Sequence, residues 1–219
     1  MALSYVDAYK AYSKNAPQDA VRALEKTVNH YVLKGQERRA AQHAQNLAET
    51  YEVELGDQDG ALKWYRKTAE WYDSDNADAL ANKYFLKVAD LAALTGGELG
   101  YAEATKNFEM VAKSSLDHNL MKWSVKDYFL KAGICYLAAG DQIQTRKKLD
   151  EFRDLDNSFG QTREYMLLTD LAQCVEEGDP DAFADKLFQF DSLSKLDKWK
   201  TTLLLRVKNS IEQAEEDFS

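Results

Sequence analysis

Apolar and small residues recur along the chain at intervals of three and four, the period of a helix that buries one face. Within that period a tighter motif repeats. "AVRALEKT" carries Ala20, Leu24 and Thr27, and "ALKWYRKT" carries Ala61, Tyr65 and Thr68. "ATKNFEMV" carries Ala104, Phe108 and Val111, and "TRKKLDEF" carries Thr145, Leu149 and Phe152. "ADKLFQFD", with Ala184, Phe188 and Asp191, is the weakest copy. Positions i, i+4 and i+7 share one helix face, so a small residue lets a neighbouring helix approach while the large one fills the gap beside it. Upstream of each copy a second helical segment supplies Ala and Tyr: "YVDAYKAY", "AQNLAETYEVEL", "KYFLKVADLAAL", "DYFLKAGICYLAAG" and "YMLLTDLAQCVEEG". The predicted unit is therefore an αα-hairpin of about 40 residues, repeated to give about ten helices.

Turn chemistry agrees. Pro17 and Pro180 fall where a helix would begin, a position that tolerates a missing N–H. "GDQDG", "TGGEL" and "AAGDQ" place glycine at helix ends. Ser158 with Gln161, and Ser194 with Asp197, have the spacing of capping boxes. The predicted fold is all-α: a tetratricopeptide-like α-solenoid of antiparallel helix pairs over residues 1–157, closed by a C-terminal helical bundle over 158–219. The period exceeds the roughly 34 residues of the tetratricopeptide repeat, which predicts longer helices. The last helix is predicted over Leu196 to Gln213, followed by Glu215, Glu216, Asp217 and Phe218.

Composition reinforces the helical reading. Two prolines and ten glycines in 219 residues leave few breakers, and 45% apolar residues suffice for a core. The net charge of −9 argues against nucleic acid as a main partner, because a protein that neutralises phosphates carries the opposite balance. No 18-residue apolar run and no signal-peptide pattern occur, so a cytoplasmic location is expected. Cys135 and Cys174 lack metal or redox spacing and are expected as buried small hydrophobes.

Catalytic and metal motifs are missing. His30, His43 and His118 are scattered, and HExxH, P-loop and GxSxG patterns do not occur. "DQDG" from Asp57 and "DSDNADALANKY" from Asp73 imitate calcium loops but break the EF-hand rule for glycine and for the closing glutamate. No enzyme activity, cofactor or metal site is expected. A helical-repeat stack of this kind binds proteins along an extended face.

Basic residues recur at equivalent positions. Lys83 and Lys87 are i, i+4 on the first helix of one hairpin, and Lys122 and Lys126 repeat that spacing one hairpin later, with Lys131 beyond. Arg38 and Arg39 open the equivalent helix before them. They form either a basic stripe, for which the partner is acidic, or ordinary solvated lysines. Most aromatics are expected between helices, whereas Trp71 and Trp123 fall near helix ends.

"ALANKYFLKVADLAAL", "WSVKDYFLKAGICYL", "SFGQTREYMLL", "QFDSLSKLDKWKTTLLLRVKNSI" and the acidic end "EEDFS", taken in order from about Tyr5 to Ser219, resemble the alpha-SNAP family of soluble NSF attachment proteins. The resemblance implies a non-enzymatic adaptor of membrane fusion, peripherally associated with membranes. Several copies surround an assembled SNARE four-helix bundle and recruit the hexameric AAA+ ATPase NSF, which pulls the bundle apart. By resemblance, the SNARE-binding positions are Lys14, Lys83, Lys87, Leu120, Lys122 and Lys126, with Arg38 and Arg39 standing in where Gln36 and Gln42 replace basic residues. The ATPase-binding positions are Asp141, Glu176, Glu177, Glu215, Glu216 and Asp217, while Gln173 replaces a further carboxylate. Phe218 occupies the place of the family's penultimate leucine, used to stimulate the ATPase. Family members also carry an N-terminal apolar loop that dips into membrane. This sequence begins after it, which implies weaker bilayer contact and a weaker SNARE grip. The alternative is a generic tetratricopeptide-like scaffold, such as a co-chaperone module that clamps a peptide carboxylate and has no use for residues 215–218.

Overall fold

A computed structural model of the protein describes residues 6–9, 11, 16–117 and 122–217; the side chains of Lys122 and of residues 215–217 lie outside that description. Residues 6–9 and 11 are helical. Ten longer helices follow: α1 (Pro17–Leu33), α2 (Glu37–Glu49), α3 (Gln58–Ser74), α4 (Asp78–Thr95), α5 (Gly97–Leu116), α6 (Lys122–Ala139), α7 (Gln142–Leu155), α8 (Arg163–Glu177), α9 (Pro180–Leu193) and α10 (Lys198–Asp217). A π-helical turn, Thr50–Glu54, extends α2, and a short 3₁₀ turn, Phe159–Gln161, precedes α8. No strand occurs among the described residues. Within each unit helices pack on their neighbours in sequence, and the all-α repeat of hairpins is observed as expected.

The chain divides into two compact units, Met1–Leu91 and Ala92–Ser219. In the first, α1 packs on α2, α2 on α3, and the π turn on α1 and α3. Alanines dominate the seam: Ala20, Ala40, Ala41, Ala44, Ala48, Ala61 and Ala69 are all fully buried. Small side chains let helix backbones come close, and Leu24, Leu47 and Tyr65 fill the space left beside them. In the second unit α5 packs on α6, α6 on α7 and α8, α8 on α7 and α9, and α10 folds back on α6 and α9. Its centre is aromatic. Phe129 stacks on Phe152 with centroids 4.6 Å apart and meets Phe159 at 5.1 Å.

Four copies of the motif, a small residue, a large one and then a small or apolar one, are buried at all three positions: Ala20/Leu24/Thr27, Ala61/Tyr65/Thr68, Ala104/Phe108/Val111 and Thr145/Leu149/Phe152. Threonine is tolerated there because its hydroxyl donates back to the carbonyl four residues earlier, Thr27 to Ala23 at 2.9 Å and Thr68 to Trp64 at 2.8 Å. The fifth copy does not hold. Phe188 is 76% exposed, and Phe183 is the fully buried anchor of α9. Five residues further along a helix is about 140° around it, so burying Phe183 turns Phe188 outward.

The hairpin turns share a device. Gly140 and Gly178 take positive φ at the ends of α6 and α8, and the aspartate that follows each caps the next helix. Asp141 accepts from the Gln144 N–H at 2.8 Å and Asp179 from the Ala182 N–H at 2.8 Å, as Asp57 does from Gly60 at 2.9 Å. Pro17 and Pro180 open their helices as expected. The two serine boxes are not formed. Ser158 bonds Asp156 instead, and Thr162 caps α8 through the Tyr165 N–H at 3.2 Å. Ser194 ends α9, and Asp197 caps α10 through the Lys200 N–H at 2.8 Å. In each case an oxygen closer to the true helix start captures the orphan N–H.

α10 is longer than the pattern predicted. It starts at Lys198 and continues to Asp217, so residues 215–217 form its last turn. Several contacts tie it down. Leu203, Leu204, Val207 and Ile211 are buried, Trp199 meets Phe108 edge to face at 5.7 Å, and Lys131 lies 5.0 Å over the Trp199 ring. Lys200 pairs with Asp127 at 2.8 Å, and Arg206 donates to the last carbonyls of α4, Ala93 at 3.2 Å and Leu94 at 2.7 Å. Those carbonyls have no partner within their own helix, so the guanidinium both satisfies them and complements the helix dipole. The start of α5 sits equally close: a methyl on Gly100 would lie 2.5 Å from the Ala92 carbonyl oxygen. Gly100→Ala should therefore lower stability by about 1–3 kcal/mol, measured by urea denaturation, although alanine is the better helix former.

Candidate interaction surfaces

Two groups of charged residues stand out, one basic and one acidic. On α4 in the first unit, Lys83 is exposed and lies 5.2 Å over the Tyr84 ring. One turn on, Lys87 lies 5.6 Å over Tyr65 and pairs with Glu52 at 2.8 Å. Both lysines line a groove of about 460 Å³, with Glu49, Glu52, Val53 and Leu86. The π turn shapes this wall. It leaves Val53 73% exposed and aims Glu52 inward, where its second oxygen accepts from the Tyr65 hydroxyl at 2.8 Å. Arg38 pairs with Asp75, just past the end of α3, at 2.9 Å, and Arg39 lies 5.8 Å over Tyr31 and donates to Gln36. Asp57 and Asp75, from the calcium-like loops, are thus engaged as a helix cap and an ion-pair partner.

In the second unit, Lys126 near the start of α6 pairs with Glu164 at 3.0 Å. One turn before it Trp123 is 85% exposed. Lys122 is the first residue of α6. Lys131 belongs to the α10 contact already described. Lys14 and Leu120 lie outside the described residues.

The acidic group has a shared placement. Glu176 and Glu177 end α8, and Glu215, Glu216 and Asp217 end α10. Carboxylates at a helix C-terminus face the negative end of the macrodipole, an unfavourable place for stability alone. Glu176 is compensated by a bidentate bond from Arg146 of α7, which holds its carboxyl below the ordinary range. Glu177 accepts from Gln173 at 2.8 Å. Asp141 caps α7, and the neighbouring Gly140 and Gln142 share a small gap with Glu176, so this corner brings the Asp141 turn and the end of α8 together. Phe218 lies outside the described residues.

A buried network also appears that spacing gave no sign of. Glu109 of α5 accepts from the Tyr136 hydroxyl at 2.5 Å and from Lys148 at 3.1 Å, and Lys148 lies 5.9 Å over the Tyr136 ring. The Glu52–Tyr65–Lys87 cluster of the first unit has the same design. In both, one carboxylate oxygen takes a phenol and the other an ammonium, and the ammonium covers the phenol ring. Burial, and then the bond to Glu109, push Tyr136 up to about 12. Burial lowers Lys148, but its bonds to Glu109 and Glu151 outweigh that and raise it.

A stack of antiparallel helical hairpins with charged surfaces defines a helical-repeat protein. The sequence matches the family described as "Soluble NSF attachment protein, SNAP" over residues 1–212. It is 50% identical over 218 residues to the probable vesicular-fusion protein sec17 homolog of Schizosaccharomyces pombe, covering 100% of this chain and 74% of that one. It is 40% identical over 216 residues to the alpha-soluble NSF attachment protein of Saccharomyces cerevisiae, covering 98% and 73%. With the human alpha-soluble NSF attachment protein the identity is 36% over 217 residues, covering 99% and 72%. The chain belongs to the soluble NSF attachment protein family, and membership carries the general role of an adaptor in vesicle fusion. No helix among the described residues is long and apolar enough to cross a membrane.

The tyrosine network makes a pH prediction. Folded Tyr136 holds its proton to about 12, as does Tyr84, whereas an unfolded tyrosine releases it near 10. The unfolded chain then binds fewer protons between those values, so stability is intact below about pH 10 and falls as pH rises towards 12. Tyr136→Phe should flatten that fall, read from denaturation midpoints at pH 9, 10 and 11.

Proposed function

We propose that the chain binds an assembled SNARE bundle through its basic residues and an NSF-type hexameric ATPase through its acidic ones, linking the two for SNARE disassembly. The observation that carries this is the placement of the acidic residues. Glu176, Glu177 and residues 215–217 occupy helix C-terminal turns where the dipole opposes them. Carboxylates that recur at two helix ends, where the helix dipole itself lends them no support, are accounted for by a basic partner. Each unit has basic residues of its own: Lys83 and Lys87 on one groove in the first, Lys126 beside exposed Trp123 in the second. Family membership supports the same pairing of partners.

In this reading the attractions are long-range and salt-sensitive, and act more on association rate than on affinity. One copy binds weakly, and several copies around one bundle gain by avidity. No catalytic step belongs to the chain, because ATP hydrolysis belongs to the partner. Attachment to membranes is peripheral, through the SNARE complex, and residues 158–219 act as the ATPase-facing bundle.

Lys83→Glu should weaken binding to a purified SNARE four-helix bundle about three- to tenfold at low salt, with helicity unchanged by circular dichroism. Removing residues 215–219 should leave that binding intact and abolish stimulation of the ATPase. A truncated chain that still supports ATP-driven disassembly at the wild-type rate would overturn the assignment of the acidic pole.

A further inference from the structure

Two lysines of the basic group carry their own counter-ion, and in both pairs the carboxylate lies deeper than the ammonium. The Lys87 side chain is 39% exposed over Glu52 at 21%, and the Lys126 side chain is 49% exposed over Glu164 at 15%. Neither carboxylate is a casual surface partner. Glu52 is pinned from behind by the Tyr65 hydroxyl, which bonds the oxygen that Lys87 does not use. Glu164 sits in the first turn of α8, where the helix dipole favours a negative charge. The partners come from segments about one repeat away, so each pair also staples neighbouring helices of its own unit. Lys83, by contrast, rests on a neutral ring.

We propose that Glu52 and Glu164 are specificity-determining residues: internal competitors that hold down the affinity of Lys87 and Lys126 for any polyanion. An acidic coiled coil that presents ordered carboxylates can share each ammonium, which has three donors, without expelling the glutamate. A diffuse polyanion meets a field already half cancelled. Attenuation of this kind trades strength for discrimination, and keeps each encounter reversible when several copies act together. This inference rests on the basic face proposed above, and the experiment separates the two.

Glu52→Gln retains an acceptor for Tyr65 and removes only the charge. Binding of the purified SNARE bundle should tighten roughly two- to fivefold for Glu52→Gln and again for Glu164→Gln, with a steeper loss on adding salt. Binding to heparin should rise by a larger factor than binding to the bundle. Asp185→Asn, an exposed change of equal charge on α9, should shift either by less. In a Lys87→Met background the Glu52→Gln gain should vanish, which shows that it acts through that lysine. If Lys87→Met weakens binding but Glu52→Gln and Glu164→Gln leave it unchanged or weaker, or if heparin and bundle gain equally, the inference is overturned and the basic face stands. If Lys87→Met and Lys83→Glu both bind the bundle like the wild type, the basic face itself is overturned, and the inference with it.

Discussion

Close approach of helix backbones is the constraint on which the rest of this protein depends. A helix pair can pack tightly only if one side of the contact is small, and the chain supplies that side with alanine or threonine at a fixed place in four of its repeats. The seam of Ala40, Ala41, Ala44 and Ala48 in α2, all fully buried, is the clearest case. Such seams leave little room for error, because a buried methyl added to a filled contact must displace something. They also set the axial level of each hairpin, and so decide which surface residues of neighbouring helices meet.

Charge is laid over that frame in two ways. Inside, each buried carboxylate is fully engaged: Glu109 takes a phenol and two lysines, and among the described residues no buried polar side-chain atom lacks a partner. Outside, pairs such as Lys87–Glu52 and Lys126–Glu164 leave the ammonium reachable but moderated. At the acidic end of α8 Arg146 compensates Glu176, whose place in the last turn the helix dipole does not favour. Both arrangements would serve the two-partner role proposed above, in which a basic and an acidic surface each meet a partner of opposite sign.

Much of the fold was legible in sequence because helical periodicity is local. Ala20, Leu24 and Thr27 lie within two turns of one another, so their common face is decided by backbone geometry alone. The same holds for the glycine–aspartate turns, where a positive-φ glycine ends one helix and the next side chain caps another. The failures are equally physical. Phe188 matched the repeat but Phe183, of equal size and about 140° away around α9, is the one that tertiary packing buries. Ser158 and Ser194 had the spacing of caps, yet nearby Thr162 and Asp197 stood where the helices begin.

What the sequence by itself determined was an all-α repeat of hairpins, the family to which it belongs, and the identity of the basic and acidic positions. Only the tertiary structure decided how those charges are held. Lys87 meets Glu52, Lys126 meets Glu164 and Arg146 meets Glu176 across 30 residues or more, because packing brings equivalent helices side by side in the first two cases and successive helices in the third. No rule of spacing along one helix reaches that far. Whether a lysine is bare or balanced is therefore settled by packing between hairpins, and the pattern along the chain is silent on it.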